Sequence, residues 1–387
     1  MLSQTLLHLS LIQNVGPVFI KKLVERVMEE GVDLYAMNIS DFLRLGIPQD
    51  MATRLVEGLA DQDLFDREYE LIETTGVNWT TMLSSDYPAL LWHTFAPPPV
   101  LYWQGEPVWN NGPTLSVVGS RAGTSYGKRA LDVILTPCIQ EGMIIVSGGA
   151  RGIDTMAHEL TLQQGGITVA VFGTGLLRPY PSSNERLFEK IVEQGGAVVS
   201  CFPLEAEGLP WRFPFRNRII AGMSRGCLVA QAAAGSGALI TARLALDEGR
   251  NVYAVPGPFD DLLSVGCHQL LQDGAQLVVS AEVILRDYPS LEAPVIQQTS
   301  LIVSQQGKPD EVVVNNSRVR SVEKKPVSKE KTVSVETGVV ALCARPISFD
   351  ELVEKTGKSE NELKAELFDL QLSGKLEQDF TGLWVKA

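Results

Sequence analysis

Leu115-Ser116-Val117-Val118-Gly119-Ser120-Arg121-Ala122-Gly123-Thr124-Ser125-Tyr126-Gly127 joins a short apolar run to a glycine-bounded turn and the start of a helical segment. An apolar run without alternation is the habit of a strand covered on both faces, as in a parallel sheet. Glycines in the turn let backbone amides approach an anion, and the following helix N-terminus adds a favourable partial charge. The turn departs from the Gly-x-Gly-x-x-Gly dinucleotide fingerprint, because Ser120 and Arg121 follow Gly119. The acidic ribose partner expected after a second strand is missing too, since that strand ends in Ser147-Gly148-Gly149-Ala150-Arg151-Gly152. Arg121 in the first turn favours an external phosphate over a buried pyrophosphate.

The same rhythm of buried strand, glycine turn and helix runs from Thr114 to about Tyr288. Further strands are expected at Met143-Val146, Thr168-Phe172, Ala197-Ser200, Cys227-Ala230, Asn251-Val255 and Ala275-Val279, with helices at 127–140, 153–164, 184–194 and 238–248. This is a doubly wound α/β pattern, in which ligands bind beyond the carboxyl ends of the strands. Turns that can gather on that edge are Gly152-Ile153-Asp154, Gly173-Thr174-Gly175 with Arg178, Tyr180 and Pro181 after it, and Ala234-Gly235-Ser236-Gly237. Arg212-Phe213-Pro214-Phe215-Arg216-Asn217-Arg218 adds three guanidiniums, two rings and an amide, with Arg216-Asn217-Arg218 read as a turn. Guanidinium forks suit phosphate oxygens, and aromatic faces accept unpaired bases. Together these turns fit a phosphate backbone with splayed bases better than one compact nucleotide. Phe213 and Phe215 allow two readings, stacking on bases or packing beneath the turn.

The flanks differ from this centre. Residues 1–80 read as helical, with helix–Gly–helix turns around Asn14-Val15-Gly16-Pro17 and Leu45-Gly46-Ile47-Pro48 that resemble helix-hairpin-helix or sterile-alpha-motif modules. Such turns can hold a phosphate, or the region can serve packing or dimerisation. The α/β domain is assigned to 81–288 and a flexible linker rich in Ser, Gln, Lys and Asn to 289–335. Residues 336–387 read as three helices and a hairpin around Thr381-Gly382, the outline of a winged helix. Its third helix carries Glu360, Glu362, Glu366 and Asp369 against Lys364, which suits a protein contact better than a DNA groove.

A net charge of −13 over 387 residues argues against coating duplex DNA, a role that usually needs a strongly basic face, but leaves room for a focused basic groove. Cys138, Cys201, Cys227, Cys267 and Cys343 are scattered and only four histidines are present, so neither a disulfide framework nor a metal site is expected. No leader and no apolar run of the ~20 residues that span a bilayer is evident, which makes cytoplasm the expectation. Catalytic candidates are weak. Asp154 and His158 share a helix face and could form an acid–base couple or a helix-start cap beside a satisfied histidine. Ser236 lacks a base, and Cys201 reads as an inert thiol. No catalytic residue and no cofactor is expected.

Six motifs occur in order: Ser116–Arg121, Ser147–His158, Phe213–Gly222, Ser236–Ala242, Gly249–Gly257 and Gly266–Ala275. The series resembles the bacterial DNA-processing protein family DprA, also called Smf, over nearly all of residues 97–287. The resemblance implies an extended Rossmann-like domain that binds single-stranded DNA, protects the incoming strand and loads the RecA recombinase during natural transformation, acting as a homodimer. Carried over by motif, the nucleic-acid-binding residues are Gly119, Ser120, Arg121, Gly148, Arg151, Gly173, Thr174, Gly175, Arg178, Arg216, Asn217 and Arg218, with Asn217 at the groove floor. His268, Leu271, Gln272 and Leu277 fall in the family's dimer and recombinase-contact segment. The family has a basic residue where Ser182 stands, a charge that Arg178 or Arg186 could supply, and carboxylates where Cys201 and Gln231 stand. The alternative is a Rossmann-type nucleotide phosphoribohydrolase of the lysine-decarboxylase-like family, whose catalytic glutamate has no match near Ala233-Ala234-Gly235-Ser236-Gly237-Ala238.

Overall fold

In the computed structural model, residues 2–288 are described, together with 339–343, 345, 347, 349–358, 363, 367, 370, 376–378 and 384–386. Contacts divide the chain into two units, Met1–Ile296 and Gln297–Ala387.

The first unit opens with α1 (Leu2–Leu11), α2 (Pro17–Glu30), α3 (Ile39–Arg44), α4 (Gln49–Ala60) and α5 (Gln62–Thr75). Local chemistry sets these ends. Pro17 starts α2, where its missing N–H costs nothing. Asn38 and Asp41 form a reciprocal capping box on α3. Gly31 and Gly76, both at φ 65°, stop α2 and α5 in the left-handed conformation. The helices do not stand apart from the sheet. Leu7 of α1 and Ile72 of α5 share a buried cluster with Val100 and Tyr102, each such side chain worth roughly 1.5–3 kcal/mol on burial. The Glu68 carboxylate of α5 accepts a hydrogen bond from the Leu204 amide at 2.8 Å, which ties the helical segment to the loop before Arg212.

β1 (Asn78–Thr81), α6 (Ala89–Trp92) and β2 (Val100–Gly105) follow. The pairs β1–β2 and β2–β6 (Ala197–Ser200) are antiparallel and extend the sheet beyond the parallel strands. These two strands were not expected: Asn78-Trp79-Thr80-Thr81 is neither apolar nor alternating, and it pairs across a long connection, from Asn78 with Trp103 to Thr81 with Val100.

The parallel region comprises β3 (Thr114–Val118), α7 (Ser125–Gln140), β4 (Ile144–Ser147), α8 (Ile153–Gln163), β5 (Thr168–Val171), α9 (Glu185–Glu193), β6, α10 (Arg212–Gly222), β7 (Gly226–Val229), α11 (Gly237–Asp247), β8 (Asn251–Ala254), α12 (Val265–Gln272), β9 (Gln276–Leu277) and α13 (Glu282–Leu285). The nine strands are ordered β1-β2-β6-β5-β4-β3-β7-β8-β9. Successive side chains point to opposite faces. Leu115 and Val117 therefore pack with Leu131, Ile134 and Leu135 of α7, while Val118 joins Ile219 and Ile220 of α10 and Ala242 of α11 on the other face. The chain winds from β3 to β6 in one direction, then returns to place β7 on the other flank of β3. The β3/β7 boundary is the topological switch point, and the turns after all parallel strands open on that edge.

One correction concerns the arginine-rich stretch. Arg212–Gly222 is a helix, not a turn. Pro214 lies in its first turn, where no N–H is required, and Phe215, Ile219 and Ile220 recur at helical spacing. Its C-terminal end is fastened to β3: Thr114 Oγ1 donates to the Met223 carbonyl at 2.7 Å, and Ser116 Oγ to that of Ile220 at 3.1 Å.

In the second unit, α14 (Val339–Leu342), α15 (Phe349–Thr356), β10 (Leu376–Gln378) and β11 (Trp384–Lys386) are described, with β10 and β11 antiparallel. Val339, Leu352, Leu363, Leu367, Leu376 and Trp384 form its core. The expected linker at 289–335, most of the third helix and the Thr381-Gly382 turn lie outside the described residues. Among the described residues no helix is long and apolar enough to cross a membrane.

Candidate nucleic-acid interface

Arg121, Gly148 and Gly173 leave the sheet at the ends of β3, β4 and β5, and the first turns of α10 bring them together. Phe213 is the meeting point. Its ring lies 5.9 Å beneath the Arg121 guanidinium and 5.9 Å from that of Arg216. Tyr180 meets the same ring at 5.5 Å between centroids. A Cβ on Gly173 would come within 2.8 Å of it, so only glycine leaves room for the ring. Phe215 instead packs at 5.7 Å from Phe202. Of the two readings open for these rings, Phe215 is packing, and Phe213 is the pedestal of the site.

The two arginines differ in kind. Arg216 is 5% exposed, and its Nη1 donates to the carbonyls of Gly148 and Val171, while Nε donates to Asn217 Oδ1 at 3.2 Å. Desolvation pushes its pKa down to about 10, against the opposing field of Asp154. This guanidinium is a brace between the ends of β4 and β5 rather than a free fork. Asn217 extends the brace, reaching the Gly237 carbonyl at the start of α11 at 3.4 Å. Arg121 by contrast is exposed. With Arg216 it bears on Asp154, a 6% exposed carboxyl whose pKa burial raises to about 6 despite both guanidiniums.

The turns offer fewer free amides than glycine content suggests. Ser120 N–H donates to the Gln231 carbonyl at 2.7 Å, Ala122 N–H to Ser120 Oγ, Gly123 N–H to the Ser120 carbonyl, and Thr124 N–H to Gln231 Oε1 at 2.9 Å. Gln231, where the family places a carboxylate, thus fastens the β3–α7 turn. Glycine serves close approach here: a Cβ on Gly152 would lie 2.3 Å from the Ser120 carbonyl, and one on Gly175 2.2 Å from the carbonyls of Pro203 and Leu204. After β5 the position reverses. The amides of Gly173 and Thr174 have no acceptor among the described residues, and Thr174 Oγ1 is buried without a partner. Both residues are buried, so these donors lie beneath the surface that Phe213 covers at Gly173.

The remaining expected residues are dispersed around this centre. Arg151, Arg178 and Arg186 are exposed, as is Ser182. Arg218 is exposed on α10 in the field of Glu248 and Asp247. His268, on α12, has Nε2 3.0 Å from the Gly257 carbonyl; Leu271 is half-buried, Gln272 exposed, and Leu277 exposed on edge strand β9. The catalytic candidates are engaged structurally. Thr168 Oγ1 donates to the Ile145 carbonyl at 2.7 Å and so accepts from His158 Nδ1 at 2.7 Å, leaving a neutral imidazole whose pKa burial lowers to about 3. Asp154 accepts from the Ala150 amide at 3.3 Å, and Ser236 caps α11. Burial pushes the Cys201 thiol above its ordinary value. No cluster of His, Cys, Asp and Glu able to hold a metal occurs among the described residues. Tyr180 is placed by sequence only on the turn after the third strand, and Trp211 is not singled out although Trp211-Arg212 sets an aromatic beside an arginine; the rings they pack on become visible only once α10 is folded.

The sheet order, with its switch point between β3 and β7, defines an extended Rossmann-like α/β protein. The chain belongs to the DNA recombination-mediator protein A family, whose model matches residues 78–289. It is 45% identical to Protein Smf of Escherichia coli over 204 residues, 53% of this chain and 54% of that protein, so the chain spans about half the length of that relative. It is 31% identical to Protein Smf of Synechocystis over 96% of this chain and 95% of that one. The crystal structure of DNA processing protein A from Streptococcus pneumoniae aligns with a TM-score of 0.65 and 33% identity, covering 74% of this chain and 97% of that chain.

Proposed function

We propose that this protein binds single-stranded DNA along the C-terminal edge of its sheet and acts as a non-catalytic mediator, protecting the strand and loading the RecA recombinase during natural transformation. The observation that carries the reading is Arg121, an exposed guanidinium seated over Phe213, the ring that packs on Gly173 at the end of β5. Such a fork, held in place from below, matches phosphate oxygens. The excess of acid over base elsewhere favours a narrow track over a duplex-coating face. Membership of a recombination-mediator family supports the DNA partner. The structural engagement of His158, Ser236 and Cys201 supports a binding role over an enzymatic one. RecA as partner, a homodimer through α12 and β9, and residence in the cytoplasm complete the reading.

The test is a titration of the full chain with single- and double-stranded oligonucleotides at several salt concentrations. Single strands should bind tighter, with log affinity falling by about 0.7 per phosphate contact for each tenfold rise in salt. Arg121→Glu should weaken single-strand binding by roughly tenfold or more. Parent-like binding by that variant would overturn the groove. Arg216→Glu is no test of the groove, because it removes the brace between β4 and β5 and puts an acid beside Asp154 in a buried site.

A further inference from the structure

Two rings beside the first turn of α10 are left in water, and phosphate binding makes no use of them. Tyr180 and Trp211 are each 51% exposed. Neither is loose. Tyr180 leans on Phe213 at 5.5 Å with the planes 59° apart, and Arg121 lies over the same Phe213. Trp211, the residue before α10, stands edge-on to Phe202 at 6.1 Å and 85°. The Arg212 guanidinium lies 5.1 Å from the Trp211 ring and 5.2 Å from that of Phe202, and its Nη1 donates to the Glu207 carbonyl at 2.6 Å. Each exposed ring is therefore backed by a more buried ring and accompanied by a guanidinium.

An isolated exposed ring on a protein surface needs no explanation. Two rings held from behind, flanking the first turn of one helix whose Phe213 carries Arg121, do. A ring already immobilised gives up little conformational freedom when covered, so most of the gain from burying its face is kept as affinity. Purines and pyrimidines present the flat apolar face that would cover it, whatever the sequence, whereas bases paired inside a duplex have both faces occupied.

We propose that Tyr180 and Trp211 are base-stacking positions, each taking one unpaired base of a strand whose phosphates run past Arg121. The inference rests on the phosphate-groove reading and adds a division of labour. Arginine supplies salt-dependent affinity for the backbone, and the two rings supply the preference for unpaired bases. Base–aromatic stacking of this kind is sequence-tolerant.

The full-length parent, Tyr180→Ala, Tyr180→Phe, Trp211→Ala and Trp211→Phe are titrated with oligothymidylate and with an abasic deoxyribose-phosphate oligomer of equal length. The proposal expects the parent to prefer oligothymidylate. Each alanine variant should weaken oligothymidylate binding on the order of tenfold, leave abasic binding within about twofold of the parent, and be rescued by its phenylalanine counterpart. Equal binding of the two oligomers by the parent, alanine variants that bind oligothymidylate like the parent, or an equal loss on both oligomers would each overturn it. Arg121→Glu on the abasic oligomer separates the two ideas. Weakening there keeps the phosphate groove even if the rings fail, and no weakening removes the groove itself.

Discussion

Asp154 and His158 show how little a spacing says about the chemistry of two side chains. Their four-residue interval places both on one helix face, which allowed an acid–base couple. The fold gives them separate partners, the Ala150 amide and the Thr168 hydroxyl. It also gives them opposite pH behaviour. Asp154 is raised from an ordinary 3.8 to about 6, so between these values the folded chain holds a proton that the unfolded chain has lost. Its contribution to stability is full below about pH 4 and is lost as pH rises through about 6. His158 is lowered from 6.5 to about 3, so its contribution is full above pH 6.5 and is lost as pH falls toward 3. Replacing Asp154 by Asn isolates the first effect. The unfolding free energy of the parent minus that of Asp154→Asn should fall by about 2 kcal/mol between pH 4 and 7 in denaturant titrations. A difference that stays flat would mean the carboxyl is not desolvated in the folded chain.

At the scale of elements, the parallel strands were legible because each is a continuous apolar run, and the helices between them because their apolar positions recur every three to four residues. The helix α10 was not. Arg212-Phe213-Pro214-Phe215-Arg216-Asn217-Arg218 interleaves its apolar residues with three arginines, an amide and a proline, and its helical state depends on contacts beyond itself. Arg216 braces two strand ends, Asn217 reaches α11, and Ser116 holds the Ile220 carbonyl. The glycines that crowd these contacts are legible as glycines but not as close approaches. Gly175 is the sharpest case, since an added Cβ would meet backbone carbonyls rather than a yielding side chain. Gly175→Ala should destabilise the protein by about 1–3 kcal/mol or more, read as a lower denaturant midpoint with an unchanged slope. A parent-like midpoint would show that the loop carrying Pro203 and Leu204 gives way freely.

For the whole molecule, the division into two units makes a separable prediction. Arg121, Phe213, Tyr180 and the Gly173 turn all belong to the first unit, whose last described contact is the Tyr288 hydroxyl on the Thr114 carbonyl at 3.2 Å. A chain ending after Ile296 should keep single-strand affinity within about threefold of the full chain, measured by the same titration; a loss of tenfold or more would place part of the interface in the second unit. By itself the sequence determined the alternation of parallel strands and helices, the set of turns on the carboxyl edge and the arginines that could serve there. Those are local properties, written in residue type and periodicity. Only the tertiary structure decided that β1 and β2 extend the sheet, that the arginine-rich stretch is a helix, and that Arg216 is spent as a buried brace while Arg121 stays free. Two guanidiniums carry the same chemistry along the chain. Which one meets water is set by the carbonyls and rings that the fold packs around each.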